Sequence, residues 1–192
     1  MDKITTAREK SLHTLGVFLD LSKAIDTIDH SILLSKLSYY GIRGIALEWF
    51  RDYLFNRQQY VCIDDVNSSL KYLSSGVPQG SLLGPLLFSI YINDFPKSSS
   101  KFSFIMFADD SNLFYSHNNV DTLFNTVNSE LSYISNWVRA NKLSLNINKT
   151  HFMLFTGSKI IPQGEILYEN VSLKCTDCIK FLGVSAELLG ME

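Results

Sequence analysis

Phe102-Ser103-Phe104-Ile105-Met106-Phe107-Ala108-Asp109-Asp110 is an apolar, strand-like run that ends on two adjacent carboxylates. Adjacent like charges repel, and burying them raises a carboxyl pKa. A fold that ends a hydrophobic run this way needs something positive to neutralise it. A second run, Gly16-Val17-Phe18-Leu19, ends in the same manner on Asp20. Divalent magnesium suits such donors, because it prefers oxygen ligands and is usually held by one or two carboxylates plus substrate phosphates. Taken alone, an Asp-Asp pair is often a solvated turn, since Asp is a favoured turn residue. The apolar run leading into the pair, and the matching case at Asp20, argue for a site.

Residues 101–107 and 111–115 flank the pair, which predicts a tight hairpin carrying the carboxylates at its tip. Upstream, Leu15 to Leu19 reads as a buried strand. Residues 3–13 are polar and helix-compatible. Asp29 or Ser31 is a candidate cap for a helix running to about Tyr40, with Gly41 as its stop. Ile45 to Phe55 has helical periodicity. Residues 59–63 and 70–73 read as two strands joined by a polar turn containing Asp64, Asp65 and Asn67. Residues 82–92 are apolar on every side, which predicts a buried helix.

Downstream, Val120, Leu123, Phe124, Val127, Leu131, Ile134 and Val138 recur at steps of three and four, the pattern of an amphipathic helix. Residues 151–155 and 179–184 read as strands. Strands and helices alternate without a repeat or a linker. The expected class is therefore α/β or α+β, the α+β form being a mainly antiparallel central sheet packed on helices.

The chain of 192 residues is long enough for one domain with a core, and 46% hydrophobic content with 12% aromatics argues against disorder. Its apolar runs are too short to span a bilayer. The polar N-terminus shows no secretory signal. Three cysteines are too few for a disulfide framework, which points to a reducing, intracellular setting, nuclear or cytoplasmic, for a protein that is not secreted. The lone Cys175-Thr-Asp-Cys178 lacks the two further ligands that zinc needs. A net charge of -2 does not advertise a basic nucleic-acid face.

Phosphoryl transfer asks a protein for metals that neutralise developing charge and for positioning. Three carboxylates from neighbouring strands, Asp20 with Asp109 and Asp110, are an economical way to hold two ions. A second signal is the loop Ser75-Gly76-Val77-Pro78-Gln79-Gly80-Ser81. Its glycines let backbone approach a ligand, and Gln79 can hydrogen-bond a sugar or base edge. The plainer alternative is an ordinary loop before a helix.

Together these residues resemble a family. Phe18-Leu19-Asp20-Leu21-Ser22-Lys23-Ala24 resembles the first catalytic motif of reverse transcriptases. Residues 76–88, Gly-Val-Pro-Gln-Gly-Ser-Leu-Leu-Gly-Pro-Leu-Leu-Phe, resemble their second core motif. Phe107-Ala108-Asp109-Asp110 resembles the catalytic hairpin. Trp137, Asn141 to Asn146 and Lys149 are similar to the motif that follows. Phe181-Leu182-Gly183-Val184 is similar to the primer-gripping hairpin. The wording is that of non-LTR, jockey-like retrotransposons, and it runs over nearly the whole chain.

The resemblance implies a polymerase palm with part of the fingers over residues 1–184, performing RNA-directed DNA synthesis. It implies two magnesium ions, with manganese as a substitute, held by Asp20, Asp109, Asp110 and the backbone carbonyl of Leu21. Lys149 would assist proton transfer to the leaving pyrophosphate. Ile25, Pro78, Gln79 and Gly80 would meet nucleotide and template, and Phe181, Leu182 and Gly183 would grip the primer. The implied partners are an RNA template, a DNA primer, deoxynucleoside triphosphates, and the thumb, fingers and endonuclease regions of the element's full protein. No membrane is implied.

Two departures stand out. Five residues after Asp20 the family usually has Phe as a gate against ribonucleotides, and this chain has Ile25, so exclusion is expected to be weaker. Residues 185–192 do not match the family's continuation into a thumb, and only 19 residues precede Asp20. The alternative to a polymerase is therefore a palm remnant without turnover, acting at most as a nucleic-acid-binding module. Either way, apolar surface is expected to be exposed where the thumb and fingers would pack.

Overall fold

In the computed structural model, which describes residues 2–157, 164–181 and 184–187, the elements follow the expected order. Helix α1 (Asp2–Glu9) leads into β1 (His13–Asp20), then α2 (His30–Tyr39) and α3 (Ile45–Leu54). Four short strands follow: β2 (Gln58–Gln59), β3 (Cys62–Ile63), β4 (Val66–Asn67) and β5 (Lys71–Tyr72). Helix α4 (Leu83–Ile92) and a 3-10 turn (Phe95–Ser98) precede the hairpin of β6 (Ser103–Phe107) and β7 (Asp110–His117). Helix α5 (Val120–Ala140) is followed by β8 (His151–Phe155), β9 (Leu167–Tyr168), β10 (Val171–Ser172) and β11 (Lys174–Cys175). A hairpin of β12 (Cys178–Phe181) and β13 (Val184–Glu187) completes the described elements. The chain divides into two compact units, residues 1–22, 95–139 and 144–192 in one, and 23–94 with 140–143 in the other.

The first unit is built on a five-stranded sheet in the order β11-β8-β1-β7-β6. Its pairs are antiparallel except β11, which joins β8 in parallel. Directly paired residues share a face of the sheet. Register therefore puts Gly16, Phe18 and Asp20 on one face with Phe114, Asn112 and Asp110. Leu15, Val17 and Leu19 line the other face with Leu113 and Phe152. That second face meets α5, where Phe124 packs edge-on against Phe152 and Phe95 bridges Phe104 to Trp137.

Leu15, Val17, Leu113, Leu123, Val127 and Ile134 are all fully buried, as the periodicity of α5 requires. Each such side chain contributes roughly 1.5–3 kcal/mol of transfer free energy. Gly16 is needed on the first face. A Cβ there would lie 2.9 Å from the Phe114 ring, which packs edge-on with Phe18.

In the second unit, α2 starts where expected. Asp29 caps it by accepting from the Ile32 N–H at 2.9 Å, and the chain turns out at Gly41 with φ 96. The centre is Tyr91, fully buried, whose hydroxyl donates to the Asn141 carbonyl at 2.6 Å. Burial pushes its phenol up to about 12. Lys36 reaches Asp94 at 2.6 Å while its ammonium lies over the Tyr91 ring.

Two expectations need correction here. Helix α4 is not buried on every side: Gly84, Leu87, Phe88, Tyr91 and Ile92 face inward, but Leu86 is 54% exposed, and Leu82, just before the helix, 97%. A uniformly apolar run carries no signal of which side faces out. The predicted two-stranded hairpin over 59–73 is divided into two short ladders, β2–β5 and β3–β4. Between them Val61 pairs instead with Ser68, through that serine's amide and hydroxyl. Tyr60, Val61, Ile63, Val66, Leu70 and Tyr72 are exposed on this ribbon.

Candidate active site

The predicted site residues fall in both units, and each group is built by its own local structure. In the first unit, register sets Asp20 directly opposite Asp110 where β1 and β7 end their pairing. Both project from the face that carries Phe18 and Asn112. Asp109 sits beside them in the two-residue turn Ala108-Asp109, closed by the pairing of Phe107 with Asp110. Ala108 adopts φ 52 there. That left-handed conformation costs a non-glycine residue about 1–2 kcal/mol, which the flanking ladder must hold in place.

The electrostatics follow from this crowding. Partial burial raises the Asp110 carboxyl above its ordinary value, and the neighbouring charges of Asp109 and Asp20 raise it further. No ion pair among the described residues involves Asp20, Asp109 or Asp110.

Leu21 makes an isolated antiparallel bridge with Leu145. Its hydrogen bonds run from Asn146 N–H to the Asp20 carbonyl and from Ser22 N–H to the Ser144 carbonyl, both at 2.8 Å. The Leu21 carbonyl itself is not used by that bridge.

Among the described residues, no three His, Cys, Asp or Glu side chains form a group that could hold a metal ion by themselves. The donors present are nonetheless of the right kind: hard oxygens, repelling one another, beside a backbone carbonyl. They fit an ion held by one or two carboxylates and completed by phosphate oxygens.

Lys149 is exposed in the same unit. The next residue, Thr150, is fully buried, and its hydroxyl accepts from the Asp20 N–H at 3.3 Å. That contact ties the Lys149 backbone to the end of β1. The sequence reading missed Thr150, which shows no pattern around it. Phe181 ends the backbone ladder of β12 with β13, while Leu182 and Gly183 lie outside the described residues.

In the second unit, Ile25, Pro78, Gln79 and Gly80 belong to two segments stitched together. Val77 N–H donates to the Ile25 carbonyl at 3.1 Å and Gly76 N–H to the Ile28 carbonyl at 2.8 Å. His30 is buried and its Nε2 lies 2.7 Å from the Gly76 carbonyl, so Nε2 carries the proton. Gly76 has φ 82, and a Cβ there would meet the Asp26 carbonyl oxygen at 2.7 Å. Gly80 also takes positive φ, with open space around it. Gln79 Nε2 donates to Asp26 Oδ1 at 2.7 Å. The sequence reading missed Asp26 as well, since nothing local links residues 53 apart.

Known proteins bear on this arrangement. Residues 1–186 match the reverse transcriptase (RNA-dependent DNA polymerase) family. The chain is 30% identical over 186 residues to a probable RNA-directed DNA polymerase from transposon BS of Drosophila melanogaster, covering 90% of this chain and 20% of that protein. It is 37% identical over 90 residues to the RNA-directed DNA polymerase from mobile element jockey of the same organism, covering 47% of this chain and 10% of that protein. The chain thus spans about a fifth or less of these relatives' length.

Among solved structures, telomerase from Candida tropicalis, in complex with a TWJ fragment of telomeric RNA, aligns over all of this chain and 32% of its own, with TM-score 0.65 and 15% identity. That likeness carries the fold alone. With the family match over residues 1–186 and paired strands that end on Asp20 and Asp110, the chain belongs to the reverse transcriptase family.

Proposed function

We propose that this chain is the RNA-directed DNA polymerase palm of a non-LTR retrotransposon protein, extending a DNA primer on an RNA template with deoxynucleoside triphosphates. The observation that carries this reading is the pairing of Asp20 with Asp110 beside Asp109, three carboxylates without a cationic partner among the described residues. In the reaction, the primer 3'-oxygen attacks the α-phosphate and pyrophosphate leaves.

Asp20, Asp109, Asp110 and the Leu21 carbonyl would hold magnesium, which supplies charge neutralisation at the attacking and leaving oxygens. Asp20 and Asp110 are pre-positioned by the β1–β7 ladder, so little reorganisation is needed to receive cations and phosphates. Lys149 is exposed and available to protonate the leaving pyrophosphate. Gln79 and Gly80 offer a side-chain amide and unobstructed backbone to the nucleotide and template. Ile25, smaller than the Phe usual there, supports a more permissive sugar gate. Strand contacts to the nucleic acids would be backbone electrostatics and shape, hence salt-sensitive. The β12–β13 hairpin supports the primer-grip reading of Phe181, Leu182 and Gly183. The thumb, remaining fingers and endonuclease regions of the element protein would supply further positioning. No helix among the described residues is long and apolar enough to cross a membrane. Three cysteines, too few for a disulfide framework, support a reducing, intracellular setting.

The test is primer extension on an RNA template with magnesium, by this chain beside Asp109→Asn. Extension that the variant loses supports the reading. No extension by either moves it to a nucleic-acid-binding remnant.

A further inference from the structure

We infer that Asp26 is a positioning residue: its carboxylate fixes the Gln79 carboxamide so that the amide oxygen, not the NH2 group, is presented to a bound nucleotide. This rests on the polymerase reading of the Gln79 loop. An ionised carboxylate only accepts hydrogen bonds. With Asp26 Oδ1 2.7 Å from Gln79 Nε2, a flipped amide would set two acceptors against each other. The partner therefore settles an orientation that a side-chain amide leaves open.

Both ends of this bond stand on one scaffold. The Asp26 carbonyl accepts from Ser75 Oγ at 3.2 Å, and Asp26 N–H donates to the Lys23 carbonyl at 2.9 Å. Gly76 lies against the Asp26 backbone so closely that no side chain fits, and His30 holds the Gly76 carbonyl from the other side. Asp26 and Gln79 are exposed, so the Gln79 oxygen is open to a ligand.

An outward amide oxygen accepts from a sugar hydroxyl. An outward NH2 would instead donate to a phosphate oxygen. One Gln79 N–H is held by Asp26, which fixes the side the amide oxygen faces, and Asp26 does so without touching the nucleotide itself.

Three proteins test this: wild type, Asp26→Ala and Asp26→Asn. The amide oxygen that Asp26→Asn introduces accepts the same bond, so that variant is the rescue. In steady-state extension, Asp26→Ala is expected to raise the KM for the deoxynucleotide about tenfold, with a smaller effect on kcat. Asp26→Asn is expected within about threefold of wild type. The Gln79 side-chain amide signals in nitrogen-edited NMR give a readout independent of turnover. They are expected to shift in Asp26→Ala and to keep near wild-type positions in Asp26→Asn. An unchanged KM in Asp26→Ala, or Gln79 signals that do not move, overturns the proposal. Equal KM defects in both variants overturn it too, since they would mark Asp26 as merely structural. A wild-type chain that does not extend at all sinks the polymerase reading, and the Gln79 signals then decide the positioning by themselves.

Discussion

At the tip of β6–β7, three carboxylates crowd together with no cationic partner among the described residues, and the Ala108 backbone is bent into a conformation it disfavours. Around the Gln79 loop the reverse holds. Glycine occupies the positive-φ positions of the loop itself, Gly76 and Gly80, Asp26 and His30 hold side-chain and backbone partners, and Asp29 takes both the α2 cap and an ion pair with Lys142 at 2.6 Å. The first region stores electrostatic strain that a cation would relieve, beside torsional strain at Ala108 that the flanking ladder holds in place. The second is satisfied within the protein before any ligand arrives.

The largest expected effect breaks the first region's chemistry. Asp109→Asn is expected to lower magnesium-dependent extension by about 10³-fold or more, while the denaturant midpoint stays near wild type. Next comes an exchange of backbone freedom between the two regions. Gly76→Ala is expected to cost about 1–3 kcal/mol in chemical denaturation, because it forces both the strained φ and the contact with the Asp26 backbone. Ala108→Gly is expected to gain up to about 1 kcal/mol by releasing the turn. If both variants cost stability alike, the contrast in strain is lost.

The pH dependence sharpens the comparison further, because the two regions have opposite signs. The hydrogen bond from Lys142, with the Ile32 amide, holds the Asp29 carboxyl below its ordinary value despite some burial. Its stabilisation is complete above the ordinary carboxylate range of about 3.9 and is lost as pH falls through the lowered value. Asp29→Ala is therefore expected to cost about 1 kcal/mol at pH ~7 and progressively less in acid.

Asp110 is raised, by partial burial and then by Asp109 and Asp20. Its penalty is absent in acid and complete once pH exceeds the raised value. Asp110→Asn is expected to stabilise the fold at neutral pH and to leave it unchanged near pH ~3. Thermal melts at the two pH values, without divalent ions, read both variants. A destabilising Asp110→Asn at neutral pH would refute the strained-hairpin picture.

The hairpin was legible along the chain because its signals are local. Two apolar runs end on carboxylates, and pairing of β1 with β7 then sets Asp20 against Asp110. The Asp29 cap and the α5 stripe are read within one or two helical turns. Other features were not visible for reasons of scale. Strand β11 is two residues long, too short for any period. The interruption of the 59–73 ribbon depends on Ser68 replacing a ladder bond at Val61. The exposure of Leu82 and Leu86 depends on what α4 packs against. The bonds from Gln79 to Asp26 and from Lys142 to Asp29 span 53 and 113 residues. No pattern along the chain couples positions so far apart.

Strand β1 is made well before the strands it pairs with. Its Thr14 meets Ser116, 102 residues on, and its His13 meets Thr156, 143 residues on. At roughly 5–20 residues per second of synthesis, this strand, whose Leu15, Val17 and Leu19 are destined for the core, waits on the order of ten seconds for a neighbour. Closing loops of that length is slow, and the waiting strand is open to wrong pairings. The yield of folded protein should thus respond to elongation rate and to chaperones that shield nascent strands.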